Sequence, residues 1–232
     1  MNFINFAANS AQRVTLQFFA DWRVRGRENV PPSGPLIVVA NHQSAIDPTF
    51  LCTGLPRRLR FLAKEELFRF PIMSFFLRQY GAAPLRRERA DITAYRWALG
   101  HLEQGNAITM FPEGTRNLGG MKKASSGIAR LALRSQAAII PVGITGSERF
   151  KSVARIFNPT GEITVNIGTP FNLPQIEGRP SSEVLNSLTD MVMRRIAELL
   201  PPRYQGVYRI DRVHPIENEA ATAQTTETDP LH

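Results

Sequence analysis

His42 and Asp47 stand five positions apart in "NHQSAIDP", directly after "PLIVVA", six residues that read as a buried strand. An imidazole with one ring nitrogen held by a carboxylate has a fixed tautomer and a free second nitrogen, which makes it a general base. On one continuous helix a five-residue step would turn the two side chains about 140° apart. Asp47-Pro48 instead reads as an N-cap followed by a first-turn proline, opening a helix over "TFLCTG". His42 then lies in the turn that leaves the strand, and Asp47 can fold back to its ring. This is a Ser-His-Asp arrangement without its serine, so the attacking oxygen would be a hydroxyl of the substrate. Ser44, two residues from His42, suits turn hydrogen bonds better than nucleophilic attack.

A second apolar run enters a polar turn in "ITMFPEGTRNLGG", residues 108–120. Gly114 allows a tight turn and a close approach to a ligand. Thr115 and Arg116 offer donors suited to a phosphate, and a guanidinium can bind two of its oxygens. Glu113 among them would orient Arg116 or bind a substrate hydroxyl. The stretch is not a P-loop, because Gly120-Met121 stands where Lys-Ser/Thr is required. A third run, "GAAPLRRERAD", ends in Arg86, Arg87 and Arg89, of which one could make a further phosphate contact.

These turns need a scaffold, and the chain alternates short apolar runs with longer helical segments. Strands are expected near 36–40, 59–62, 82–85, 107–111, 138–144 and 162–167, with a further alternating pattern at Trp22 and Val24. Helices are expected near 48–54, 65–79, 91–104, 123–135 and 182–200. Strands interleaved with helices imply an α/β fold, a mostly parallel central sheet flanked by helices. In such sheets ligands bind at the carboxyl ends of the strands, where His42 falls. Ahead of the sheet, Phe3, Ala7, Ala11, Val14 and Phe18 recur at spacings of three and four. They predict an amphipathic helix over 2–20 that packs on its own domain or lies in a membrane interface. Segment 66–78 gathers Phe68, Phe70, Phe75 and Phe76 with Arg69 and Arg78 beside them, either core or a lipid-docking patch.

The 232 residues carry a net charge of +8. Past Arg212 only acids remain, so the body holds all 28 basic residues against 16 of the 20 acidic ones. Such a body attracts polyanions. Nucleic acid is disfavoured because the arginines lie beside apolar runs, with no stacking platform or zinc spacing. Cys52 is the only cysteine, which rules out an intrachain disulfide and fits a cytoplasmic setting. No stretch reaches the roughly 20 apolar residues of a membrane span, and no signal-peptide pattern opens the chain. The expected division is an N-terminal helix at 1–22, a catalytic domain at 23–212 and a polar, disordered tail at 213–232.

In order and spacing, "NHQSAIDP", "GAAPLRR", "FPEGTRN" and "IIPVGI" resemble the four motif blocks of the glycerolipid acyltransferases, most closely the bacterial 1-acylglycerol-3-phosphate acyltransferases. The resemblance runs from about Val24 to Gly168. It implies acyl transfer from acyl carrier protein or coenzyme A, as cosubstrate and with no cofactor, to the free hydroxyl of lysophosphatidic acid. His42 corresponds to the base and Asp47 to its orienting partner. Arg87 corresponds to the second block's closing arginine. Glu113, Gly114, Thr115 and Arg116 correspond to the glycerol-phosphate site, and Ile140 and Pro141 to the block associated with the acyl donor or chain. Lys64 in "FLAKEEL" matches a lysine near the oxyanion. The implied location is the cytoplasmic face of an anionic membrane, without a transmembrane helix. Asn117 stands where the family has serine, and Pro84-Leu85-Arg86 departs from the second block's centre, which leaves Arg86 a rival to Arg87. The alternatives are another acceptor, such as glycerol 3-phosphate, or a lipid thioesterase in which His42 activates water.

Overall fold

The five residues of β2 (Leu36–Ala40) are all buried, as a strand covered on both faces requires. Leu36, Val38 and Ala40 enter one core, while Ile37 and Val39 enter the other. Two cores separated by a sheet define a three-layer α/β/α molecule. The computed structural model describes residues 3–85, 90–150 and 159–209.

The remaining strands are β1 (Ala20–Arg25), β3 (Leu59–Lys64), β4 (Ala82–Leu85), β5 (Ala107–Met110), β6 (Ala138–Thr145) and β7 (Gly161–Ile167). Their order across the seven-stranded sheet is β1-β7-β6-β2-β5-β3-β4. Every pairing is parallel except β6 with β7, so β1 and β7 run against the other five strands. Helices α1 (Phe3–Phe19) and α2 (Asp47–Gly54) cover the first core. Helices α4 (Ala90–Glu103), α5 (Gly127–Ser135) and α6 (Ser182–Ala197) cover the second. The α/β expectation holds, including the N-terminal helix. Residues 20–22 of the expected N-terminal segment belong to the sheet, and the expected tail at 213–232 lies outside the described residues.

Three helices differ from their expected spans. The aromatic segment 65–79 is split: a 3-10 turn at Glu65–Arg69 precedes α3 (Pro71–Gln79), with Pro71 in the first turn. A proline is tolerated there, since the missing N–H would have had no intrahelical partner. Helix α6 ends at Ala197 rather than at 200. Helix α5 starts at Gly127 rather than at 123 because the preceding amides have partners elsewhere. Met121 N–H donates to the Tyr204 carbonyl, Lys122 N–H to Glu113, Ala124 N–H to the Tyr208 hydroxyl and Ser125 N–H to the Pro112 carbonyl.

Two of those partners come from the last described stretch, α7 (Pro202–Gln205) and the 3-10 turn Gly206–Tyr208. Val207 N–H in return donates to the Met121 carbonyl. At Gly206 (φ 53°) a Cβ would stand 2.0 Å from the Met121 oxygen, so the crossing requires glycine.

The second half of α1's apolar stripe, from Ala11 on, faces away from the domain. Phe18 is 80% exposed, and Ala11, Val14 and Phe19 are exposed as well. Over the same half the helix buries Leu16 and a glutamine. Gln12 donates to Thr49 Oγ1 (2.8 Å), and its oxygen accepts from Thr53 (3.0 Å) and the Tyr80 hydroxyl (3.4 Å). Tyr80 closes α3, where Phe70 and Ile72 are 69% and 76% exposed. Among the described residues no helix is long and apolar enough to cross a membrane.

Burial pushes the Cys52 thiol and the Tyr80 phenol each up to about 12. The unfolded chain releases these protons near the ordinary values of 9.0 and 10.0, whereas the folded chain holds them. Folding stability is therefore expected to fall as pH rises from about 9, measured as the urea midpoint between pH 8 and 11. Cys52 should also resist alkylation at neutral pH until the chain unfolds.

Candidate active site

β2 and β5 are hydrogen-bonded neighbours running in the same direction, so the turns at their carboxyl ends meet. One turn carries His42 and the other carries Phe111 to Gly114. Lys64 ends β3, the next strand over, and β4 beside it leads to Arg87 and its rival Arg86, which lie outside the described residues. The described motif residues 42, 47, 64 and 113–116 thus gather along one edge of the sheet.

His42 Nδ1 is 2.9 Å from Asp47 Oδ2. The same oxygen accepts the backbone N–H groups of Gln43 (2.7 Å) and Ser44 (2.8 Å), and Asp47 is fully buried. With the carboxylate accepting, Nδ1 is the donor and Nε2 is left for a substrate. Helix α2 is capped at Ile46, one residue earlier than expected, because the Asp47 carboxylate turns back to serve the preceding turn. The imidazole also stacks on Phe111, with centroids 4.2 Å apart and ring planes inclined by 25°. Ser44 is buried and donates its hydroxyl to the Phe150 carbonyl (2.9 Å), so it is not placed to attack a substrate.

The second turn grips the peptide of His42 at both ends. Glu113 Oε1 accepts the His42 N–H (3.2 Å), and Asn117 N–H donates to the His42 carbonyl (2.8 Å). Glu113 Oε2 accepts from the Asn117 side chain and from Lys122 N–H (2.9 Å). No ion pair joins Glu113 to Arg116; its oxygens tie one loop to the other. Asn117, the departure from serine, is part of that tie. Gly114 adopts φ 68° with open space where a Cβ would stand, so the turn rather than crowding calls for glycine.

His42, Lys64, Gly114 and Arg116 line a cleft of about 1730 Å³. Thr115 is exposed beside them. Ile140 and Pro141 are not among the lining residues. They sit buried within β6, opposite Val38 and Val39, with Ile140 in the core under α2. Asn41, just before His42, has a structural task. Its side chain donates to the Ile144 carbonyl (2.9 Å) and accepts from Ile144 N–H (2.8 Å), tying the end of β2 to β6. A polar residue ending a fully apolar buried strand signals such a tie, because it must find partners inside. Among the described residues no group of three His, Cys, Asp or Glu side chains could hold a metal ion.

The mostly parallel α/β fold is shared with known enzymes. A family model described as Acyltransferase matches residues 21–145, more than half of the chain, and the chain belongs to that family of acyltransferases. The 1-acyl-sn-glycerol-3-phosphate acyltransferase of Bacillus subtilis is 27% identical over 195 residues, covering 84% of this chain and 95% of that protein. The alpha enzyme of that name from Mus musculus is 33% identical over 154 residues, covering 64% of this chain and 54% of that protein. Among solved structures, the 1-acyl-sn-glycerophosphate (LPA) acyltransferase PlsC from Thermotoga maritima matches with a TM-score of 0.66 at 27% identity, over 84% of this chain and 78% of that one.

Proposed function

We propose that this acyltransferase moves an acyl chain from a thioester, carried by acyl carrier protein or coenzyme A, to the free hydroxyl of 1-acylglycerol 3-phosphate, giving phosphatidic acid. The observation that carries the proposal is the 2.9 Å contact of His42 Nδ1 with a buried carboxylate, beside a cleft that Arg116 shares. His42 Nε2 takes the hydroxyl proton as the oxygen attacks the thioester carbonyl. The new C–O bond forms, the tetrahedral adduct collapses, the C–S bond breaks and the departing thiolate takes up the proton. The chain then needs no nucleophile of its own, consistent with the turn bonds of Ser44 and the burial of Cys52.

The cleft volume also favours two substrates, since single-ligand pockets are typically about 300–1,000 Å³. Arg116 would hold the acceptor phosphate, with Arg87 or Arg86 as a second contact, and orientation of the hydroxyl against His42 would supply much of the rate. Lys64, at the mouth of β3, would face the developing oxyanion. The alternatives of another acceptor and of thioester hydrolysis are outcomes of one assay. Purified protein is offered lysophosphatidate and glycerol 3-phosphate in vesicles, each with both donors. Phosphatidate formation supports the reading, whereas hydrolysis without transfer rejects it. Arg116→Ala is expected to raise KM for lysophosphatidate about 10–100-fold, the worth of one charge-assisted phosphate contact. A matching rise in KM for the donor would reject the phosphate assignment.

The working location would be the cytoplasmic face of a membrane, held peripherally. The outward stripe of α1 and the exposed Phe70 and Ile72 of α3 would enter lipid, while the basic body meets anionic headgroups. Phe18→Ser combined with Ile72→Ser is expected to lower binding to anionic vesicles by at least about tenfold, since a buried aromatic or aliphatic side chain contributes about 1.5–3 kcal/mol. Sedimentation with vesicles measures this, and unchanged binding would reject the lipid-facing role.

A further inference from the structure

Among the described residues six cations line the cleft, Lys64, Arg96, Arg116, Arg130, Arg134 and Arg179, and no carboxylate does. One acceptor phosphate beside Arg116 accounts for only part of this charge. Arg130 and Arg134 are four residues apart on α5, hence on one face of the helix and about 6 Å apart along its axis. Arg179 precedes α6, in the same layer. All three are exposed, and none has a carboxylate partner among the described residues. Glu177 and Glu183, the acids nearest Arg179 along the chain, are not among the cleft's lining residues.

Their position decides what they can meet. The outward apolar side chains of α1 and α3 go with the first core, under α1 and α2. Arg130, Arg134 and Arg179 stand with α5 and α6 on the opposite face of the sheet. A bilayer receiving Phe18 and Ile72 therefore leaves these arginines facing water. A nucleotide carrier would call for a ring to stack its base. Two rings line the cleft on this face, Tyr95 and Trp97 of α4, with Trp97 edge-on to His101, while Gln136, Gln175, Gly178 and Pro180 beside the arginines offer none. Exposed guanidinium groups along a helix face suit a partner that presents carboxylates over an area.

Resting on the thioester-donor reading above, we infer that Arg130, Arg134 and Arg179 form the docking surface for an acidic acyl carrier protein, whose thioester arm enters the cleft toward His42. The carrier meets the water-facing helix layer while the acceptor reaches the same cleft from the lipid side. The two substrates thus arrive from opposite faces of the sheet, and neither blocks the other.

The test measures binding and needs no turnover. Wild-type protein, Arg130→Glu/Arg134→Glu, the milder Arg130→Gln/Arg134→Gln and a remote control, Arg25→Glu on β1, are titrated with palmitoyl-loaded acyl carrier protein and, separately, with palmitoyl-coenzyme A. Circular dichroism checks that each variant is folded, and the glutamine pair serves if the charge reversal fails to fold. The expected result is a loss of at least about tenfold in carrier-protein affinity for the charge reversal, a smaller loss for the glutamine pair, and a flatter dependence on salt. Coenzyme A thioester binding should change less than about twofold, and Arg25→Glu should leave both unchanged. Unchanged carrier binding by the Arg130/Arg134 variants overturns the inference. So does an equal loss for the coenzyme A thioester, which would assign the arginines to nucleotide phosphates, or an equal loss in Arg25→Glu, which would make the effect one of net charge. A wild-type protein that binds the carrier but acylates no lysophosphatidate overturns the acceptor reading and leaves this one standing.

Discussion

Replacing His42 with alanine is expected to lower acyl transfer by about 10²–10⁴-fold, the worth of a positioned general base. The fold should survive, for a reason visible in the loops. The contacts from Glu113 and Asn117 reach the backbone N–H and carbonyl of residue 42, which alanine retains. Only the imidazole is lost, with its stacking on Phe111. Single-turnover transfer to lysophosphatidate in vesicles measures the rate, and a thermal melt checks the fold. A variant that is folded and turns over at the wild-type rate would remove His42 from the chemistry.

The second large effect is at Asp47, where two substitutions separate charge from architecture. Asparagine can keep a neutral acceptor where Oδ2 stands, facing the N–H groups of Gln43, Ser44 and the imidazole. It removes the negative charge that stabilises the imidazolium during proton transfer. A loss of about 10²–10⁴-fold in rate is expected with little change in stability. Alanine removes all three bonds and leaves two amides of buried residues without an acceptor. The cost is about 1–3 kcal/mol for each amide, so this variant should also unfold at lower denaturant. If asparagine destabilises the chain as much as alanine does, the carboxylate charge is structural and the catalytic assignment fails.

Much of this site is legible in the sequence because its chemistry sits in local patterns. A strand of five apolar residues, then His42, then Asp47-Pro48 is enough to expect a turn with the carboxylate folded back. The roles that were missed depend on which strands are neighbours. Periodicity identifies β2 and β5 as strands but not as partners. Glu113 therefore reads as a substrate ligand until the backbone of His42 is found beside it, 71 residues away in sequence. Asn117 and Asn41 are the same case, with partners supplied by distant backbone. The start of α5 was misjudged because "KKASS" satisfies its amides through Glu113, Pro112 and Tyr208. For α1 the stripe of Phe3, Ala7, Ala11, Val14 and Phe18 gave the right helix. Which side faces the protein was decided by Gln12, whose three partners lie on α2 and at the end of α3. Arg87, read as a phosphate contact, lies outside the described residues.

The crossing of Gly206 over Met121 sets a limit on how the enzyme can be divided. Recognition of the family ends at residue 145, yet the loop bearing Glu113 and Arg116 takes its final shape from amides bound to Tyr204 and Tyr208. A fragment trimmed to the recognised span would keep every diagnostic motif and lose the brace behind them. The inheritable unit is longer than its signature, and recombination that swaps one signature for another must carry that distant brace along.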